Sequence, residues 1–273
     1  WEALMEFPSI QFGVEMAFLS LQSKTPFDLF PSQFTAGKKN MLINGLVWMG
    51  EEHFMKTQIE EKLAQGFSCI KLKIGAIDFE KELGLLRFIR QNFDAKTIEI
   101  RVDANGAFNS NEALSKLNQL NEFELHSIEQ PIKANQIQEM KILCQQTPFP
   151  IALDEELIGV FGIEKKRKLL EEIQPQYIIL KPSLVGGFKG TLEWISIAES
   201  LNIGWWITSA LESNIGLNAI TQFTFTLNNP MPQGLGTGGL YTNNFDCPLE
   251  IDKGHIKYNV QKHWDVSNLG ISL

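Results

Sequence analysis

Ile98–Glu99–Ile100–Arg101–Val102–Asp103 is a short β-rich run with an apolar core that ends in an acid. Ala104–Asn105–Gly106 follows it at once with turn chemistry. The same design recurs at Gly45–Met49, Ser68–Ile74, Leu125–Glu129, Pro150–Asp154, Tyr177–Lys181 and Trp205–Thr208, with a weaker run at Gln233–Gly236, and successive ends fall 25–30 residues apart. Helical periodicity fills the gaps, at 51–65, 79–93, 111–120, 136–144, 163–173, 191–201 and 214–227. Cores such as Ile178–Ile179–Leu180 are apolar on both faces, as parallel strands covered by helices must be. Regular strand–helix units of this kind predict an α/β fold, a (β/α)8-type, TIM-like barrel. Its form is (β/α)7β, because no clear helix follows Gln233–Gly236. A doubly wound open sheet would need a GxGxxG loop after its first strand, and Met49–Gly50–Glu51–Glu52 is not one. A helix at Pro8–Ser20 is expected to close the ring in place of the missing last helix. The chain then divides into a pre-barrel segment (1–40), a barrel (41–239) and a C-terminal return or edge segment (240–273).

The composition narrows the class. A net charge of -8 argues against a duplex nucleic-acid partner. No apolar run approaches the roughly 18–20 residues of a membrane span. Trp1–Ser23 carries Glu2, Glu6 and Glu15 and lacks the basic start of a signal peptide. Cys69, Cys144 and Cys247 are odd in number and far apart, so reduced thiols and a cytoplasmic protein are expected.

Catalytic groups of such barrels sit at the C-terminal strand ends. Reading those positions gives Lys71 and Lys73, then Asp103, Glu129, Asp154 and Lys181, each set one unit further round. Three carboxylates converging on one point repel each other unless a hard cation resolves the charge. Mg²⁺, with Mn²⁺ as a substitute, accepts a few carboxylates and keeps positions for other oxygens. Asp103, Glu129 and Asp154 are therefore the expected metal triad. Asp103 could also be a turn former, and Glu155 or Glu156 could replace Asp154 as ligand. Lys73 and Lys181 flank the triad as candidate catalytic residues. A lysine beside a cation and another lysine has its pKa depressed, which suits acid/base work. Lys71 and Lys73 alternate by two and share the inward face. Arg101 alternates with Asp103 and should also point inward, as a substrate contact or as the ion partner of a barrel carboxylate. His53, His126, His255 and His263 are scattered and form no zinc set.

These residues carry a resemblance. Ile70–Lys71–Leu72–Lys73–Ile74–Gly75, Arg101–Val102–Asp103–Ala104–Asn105–Gly106, Ile128–Glu129–Gln130–Pro131, Leu153–Asp154–Glu155 and Leu180–Lys181–Pro182 resemble the enolase superfamily, in its muconate-lactonizing branch with a KxK motif. Pro8–Glu15, Lys181–Gly187 and Thr208–Ser213 add a likeness to the o-succinylbenzoate-forming members of that branch. The resemblance implies Mg²⁺ on the three acids and proton removal alpha to a carboxylate through a stabilised enediolate. It implies syn dehydration of a cyclohexadiene carboxylate to o-succinylbenzoate in menaquinone biosynthesis. Lys73 would be the base and then the acid, and Lys181 a cation against the π system. Substrate contacts are expected at Lys71, Arg101, Ser209 and Ser213, although Ser213 could instead cap the next helix. The partner would be a small-molecule carboxylate. N-acylamino acid racemisation, dipeptide epimerisation and a catalytically dead barrel are the alternatives. Family members carry an α+β capping domain before the barrel, so 1–40 reads as its remnant.

Overall fold

In a computed structural model the fold is described for residues 2–267. Trp1 and residues 268–273, parts of the two flanking segments above, lie outside the described residues. The chain opens with α1 (Pro8–Gln22) and β1 (Met41–Leu42). There follow β2 (Gly45–Val47), α2 (Glu52–Ala64), β3 (Cys69–Lys73), α3 (Phe79–Asn92), β4 (Glu99–Asp103), α4 (Ser110–Leu120), β5 (Ser127–Glu129) and α5 (Ile137–Gln146). Next come β6 (Ile151–Leu153), α6 (Ile163–Ile173), β7 (Tyr177–Leu180), α7 (Pro182–Val185), α8 (Gly187–Ser200), β8 (Gly204–Ile207), α9 (Asn214–Thr226), β9 (Leu249–Asp252) and β10 (His255–Tyr258). Strands β2 to β8 form one parallel sheet in sequence order, so each strand–helix unit lies beside the last.

The eighth strand is reduced to isolated parallel bridges, Gln233 to Ile43 and Gly234 to Thr208. They nonetheless join both edges of the sheet. Gly234 N–H donates to Ile207 O and Gln233 N–H to Leu42 O, at 2.8 and 3.0 Å. Pro232, Gly234 and Gly236 explain why no longer ladder forms: proline lacks a donor and glycine weakens a strand. Gly234 is required sterically, since a Cβ there would stand 2.2 Å from Thr208 Oγ1.

One expectation is corrected. The first helix does not close the ring: α1 packs on α7 and α8, with Phe12 edge-on to Phe188 at 5.3 Å. The segment after residue 240 is a hairpin, β9–β10, whose second strand pairs with β1 in a separate three-stranded antiparallel sheet. Its turn uses Lys253 (φ 47°) and Gly254 (φ 70°), the paired left-handed geometry that fits strand twist.

One continuous apolar core lies between the sheet and its helices, because the parallel strands are covered along their length. Inside the ring a small cluster of Ala152, Ile179 and Trp206 fills the lower layer. Above it, at the C-terminal strand ends, the inward positions are charged.

Candidate active site

Strand register sets the site. Lys73 pairs with Asp103, and Asp103 with Glu129, so three charged residues share one rung across β3, β4 and β5. Asp154 follows β6 directly, two residues beyond Ala152, the register partner of Glu129, and Lys181 follows β7 directly, so both stand further towards the C-terminal mouth than that rung. All three acids are buried.

The lysines are bound to the acids. Lys71 Nζ lies 2.9 Å from Asp103 Oδ2 and also pairs with Glu129. Lys73 Nζ lies 2.7 Å from the same Asp103 oxygen. Lys181 pairs with Asp154. Burial works against charge on Asp103, but Lys71 and Lys73 override it and hold its carboxyl well below the usual range. Glu129 is pushed up by burial and by the charge of Asp103, against the pull of Lys71. Burial opposes the charge on Lys71 and on Lys181, yet neighbouring carboxylates raise both, so both stay cationic.

Local backbone places the acids. Asn105 (φ 44°) and Gln130 (φ 38°) are left-handed just beyond Asp103 and Glu129, which turns the chain at each strand end. The Asn105 amide donates to Asp103 Oδ1 at 3.0 Å. Gln130 is fully buried, and its Oε1 accepts the amides of Asp154 and Glu156. The three acids after β6 are turned in different directions. Glu156 is turned to Gln130 Nε2 and the Asn135 amide, and Glu155 accepts from Asn105. Asp154 alone faces the lysine.

As placed, each acid is turned to a lysine, and among the described residues no three acidic, His or Cys side chains stand close enough together to ligate one ion. The donor chemistry does fit. Three buried carboxylates supply hard oxygen ligands. Neither Glu129 oxygen has a hydrogen-bond donor in good geometry, a cost that a cation would remove.

The cleft above the rung has a volume of about 210 Å³ and is lined by Lys71, Lys73, Lys181, Leu184, Ser209 and Leu211, among others. A wider hollow of about 540 Å³ lies at the opposite ends of β7 and β8, lined by Pro150, Gln176, Tyr177 and Gly204, far from the charged rung. Arg101 is on the rung of Lys71 but does not line the cleft. Its guanidinium turns the other way, to Glu99 (2.7 Å) and to Pro232 O (2.9 Å), with Trp206 4.2 Å away. Lys71 and Lys73 already supply positive charge above, so a third cation settles below. Arg101 is thus paired with Glu99 at the foot of β4. Ser209 lines the cleft. Ser213 is exposed at the N-cap position of α9, where its side chain makes no cap bond, and it lies outside the cleft lining.

Asn105 was missed as a functional residue: its Oδ1 accepts from Lys73 Nζ at 2.6 Å and its Nδ2 donates to Glu155 at 2.9 Å. The only signal was the turn chemistry of Asp103–Ala104–Asn105–Gly106, which places a polar side chain at the strand end.

With this geometry in view, the comparisons agree. Residues 55–261 match the model of the Enolase C-terminal domain-like family. The chain belongs to that family. It is 56% identical over 248 residues to the o-succinylbenzoate synthase of Desulfotalea psychrophila, covering 91% of this chain and 67% of that one. It is 34% identical to the N-succinylamino acid racemase of Thermus thermophilus, over 58% of this chain and 40% of that one. The crystal structure of MenC from Desulfotalea psychrophila superposes with a TM-score of 0.86 at 54% identity, covering 92% of this chain and 69% of that one. The muconate lactonizing enzyme of Pseudomonas putida shares the fold at a TM-score of 0.80 and 24% identity, over 95% of this chain and 74% of that one. The chain thus spans about two thirds of the synthase it matches and less of the racemase. The fold is the barrel of this family. No helix among the described residues is long and apolar enough to cross a membrane.

Proposed function

We propose that the chain carries the active site of an o-succinylbenzoate synthase, a carbon–oxygen lyase acting on a cyclohexadiene carboxylate in menaquinone biosynthesis. One observation carries the reading. Lys73, three acids and Lys181 occupy consecutive strand ends around one cleft, and a chain with this arrangement is 56% identical to such a synthase.

Asp103, Glu129 and Asp154 would hold Mg²⁺ or Mn²⁺. The bound ion would supply Lewis-acid stabilisation of charge on the substrate carboxylate. Lys73, as the free amine, takes the alpha proton. The substrate's C–O bond then breaks on the same face, Lys73 returns the proton to the leaving hydroxyl, and water and an aromatic ring result. Lys181 stays charged beside Asp154 and faces the developing negative charge, as an electrostatic stabiliser should. Asn105 accepts from Lys73 and orients its amine. Lys71 rises to neutralise Asp103 and Glu129, and Ser209 stands in the cleft wall. Leu184 and Leu211 form apolar walls. Residues 41–239 are the catalytic barrel in this reading. The 240–267 return braces its start, where β10 pairs with β1. We place the reaction in the cytoplasm, which suits three buried free cysteines.

Lys181 opposite Lys73 also favours a second reading, racemisation or epimerisation of an N-acylated amino acid with two bases. The test is turnover by the purified protein with Mg²⁺. Dehydration of the cyclohexadiene carboxylate, followed by its ultraviolet absorbance, supports the synthase. Alpha-proton exchange of N-succinylamino acids in D₂O without that dehydration supports the racemase.

A further inference from the structure

Glu212 takes no part in the chemistry above, yet both oxygens of its carboxylate are tied to neighbours of the cleft. Its carboxylate accepts from Ser209 Oγ at 2.6 Å and from the Ala210 amide at 2.9 Å, and Ser183 Oγ donates to its other oxygen. Ser183 and Ser209 are both buried. They belong to different strand–helix units: Ser183 lies two residues beyond Lys181, and Ser209 two residues beyond β8. Two apolar walls of the cleft adjoin them, Leu184 on the short helix α7 that follows β7 and Leu211 on the loop that follows β8. Leu211 is held at φ 69°, a left-handed conformation that is costly for leucine. Its amide donates to Ser209 Oγ at 3.0 Å, and its carbonyl accepts from Tyr241 Oη at 2.8 Å. Room for Glu212 is made by Gly216 of α9, where a Cβ would stand 2.8 Å from Glu212 Cβ.

We propose that Glu212 is the positioning residue that ties the β7 and β8 loops together and so sets the width of the cleft, making it a determinant of substrate specificity. A carboxylate is required because three donors from two loops converge on its two oxygens, and hydrogen bonds to a charged acceptor are stronger than neutral ones. Without it, Leu211 can relax out of its strained conformation and the wall at Leu184 loses its cross-tie. The reacting groups are held separately, Lys181 by Asp154 and Lys73 by Asp103 and Asn105. The defect should therefore fall on binding.

The inference rests on the proposed synthase reaction for its kinetic readout only. In the Mg²⁺-loaded chain, Glu212→Ala should raise KM for the cyclohexadiene carboxylate roughly tenfold, the loss of one or two net hydrogen bonds, with kcat within about threefold. Mg²⁺ affinity by calorimetry should not change. Amide hydrogen exchange should quicken in both 183–186 and 209–213, and not in the barrel strands. Glu212→Gln, which keeps one acceptor oxygen and leaves its Nε2 to donate to a turned Ser183 hydroxyl, should recover part of KM but not all of it. An unchanged KM, a fall in kcat alone, or faster exchange in only one loop would overturn the clamp. If Glu212→Ala does not fold, Ser183→Ala removes a single tie and should still quicken exchange in both loops; exchange confined to 183–186 refutes the proposal. If the parent chain does not turn over this substrate, the synthase reading fails and the exchange measurement alone judges the clamp.

Discussion

Replacing Lys71 by Met tests the electrostatics of the rung most directly. Lys71, Asp103 and Glu129 side chains are 10%, 0% and 3% exposed, so solvent screens them little. At 2.9 Å, the Lys71–Asp103 attraction is about 6 kcal/mol at an effective dielectric constant of 20. Most of that offsets the desolvation of the charges. Removing one partner of a buried pair forfeits the offset, leaves the desolvation, and costs about 3–5 kcal/mol. For a domain of this size that corresponds to a fall in Tm of about 10 °C. Lys73 still pairs with Asp103, so Glu129 bears most of the loss. Glu129 already has its pKa raised by burial and Asp103, and it loses the charge that opposed those effects. Its folded pKa then lies further above its unfolded one, so the folded state binds the proton more readily. The variant's deficit should accordingly narrow as pH falls from 8 towards 5. Added Mg²⁺ should raise Tm more in the variant than in the parent, because Glu129 is left without its ammonium. Thermal unfolding by circular dichroism at both pH values, with and without Mg²⁺, measures all of this. A Lys71→Met protein within about 2 °C of the parent at pH 8, with the same response to Mg²⁺, would refute the account of Lys71 as the buried counter-charge.

Other outcomes follow from the same geometry. Asp103→Asn, Glu129→Gln and Asp154→Asn should each weaken Mg²⁺ binding by calorimetry and abolish turnover with circular dichroism unchanged; full activity in any one removes that residue from the ligand set. Lys73→Ala should abolish dehydration and also alpha-proton exchange of a non-eliminating analogue in D₂O. Lys181→Ala should slow dehydration severely, by about 10²-fold or more, yet leave slow exchange, and the reverse pattern would move the base to the β7 side of the cleft. Gly234→Ala should destabilise the ring closure by about 1–3 kcal/mol, because the added methyl meets Thr208, and a midpoint in urea equal to the parent's would show that the eighth strand can shift.

The strand–helix repeat and the charged strand ends were legible because both are local. Hydrophobic period marks each element, and the last residue of a strand projects onto the catalytic face of a barrel whatever its neighbours are. Parity likewise placed Lys71, Lys73 and Arg101 inward. Parity carries no depth, however. Lys71 and Arg101 share a rung, and only the acids above and Glu99 below decide that one side chain rises into the cleft while the other descends onto Trp206. The hairpin β9–β10 had a readable signal in Lys253–Gly254, flanked by Leu249–Glu250–Ile251–Asp252 and His255–Ile256–Lys257–Tyr258, but its partner β1 lies over two hundred residues away. The place of α1 depended on Phe188, Ser183 and the α8 amides that Glu15 accepts, all far along the chain. Glu212 reads as an ordinary loop acid until folding brings Ser183 beside it. The sequence alone therefore determined the kind of barrel and the groups at its mouth, since period and parity are properties of each segment. Tertiary structure decided which acid faces which lysine, where Arg101 points and what ties the cleft loops together, because those outcomes depend on charges and donors that meet only across the ring.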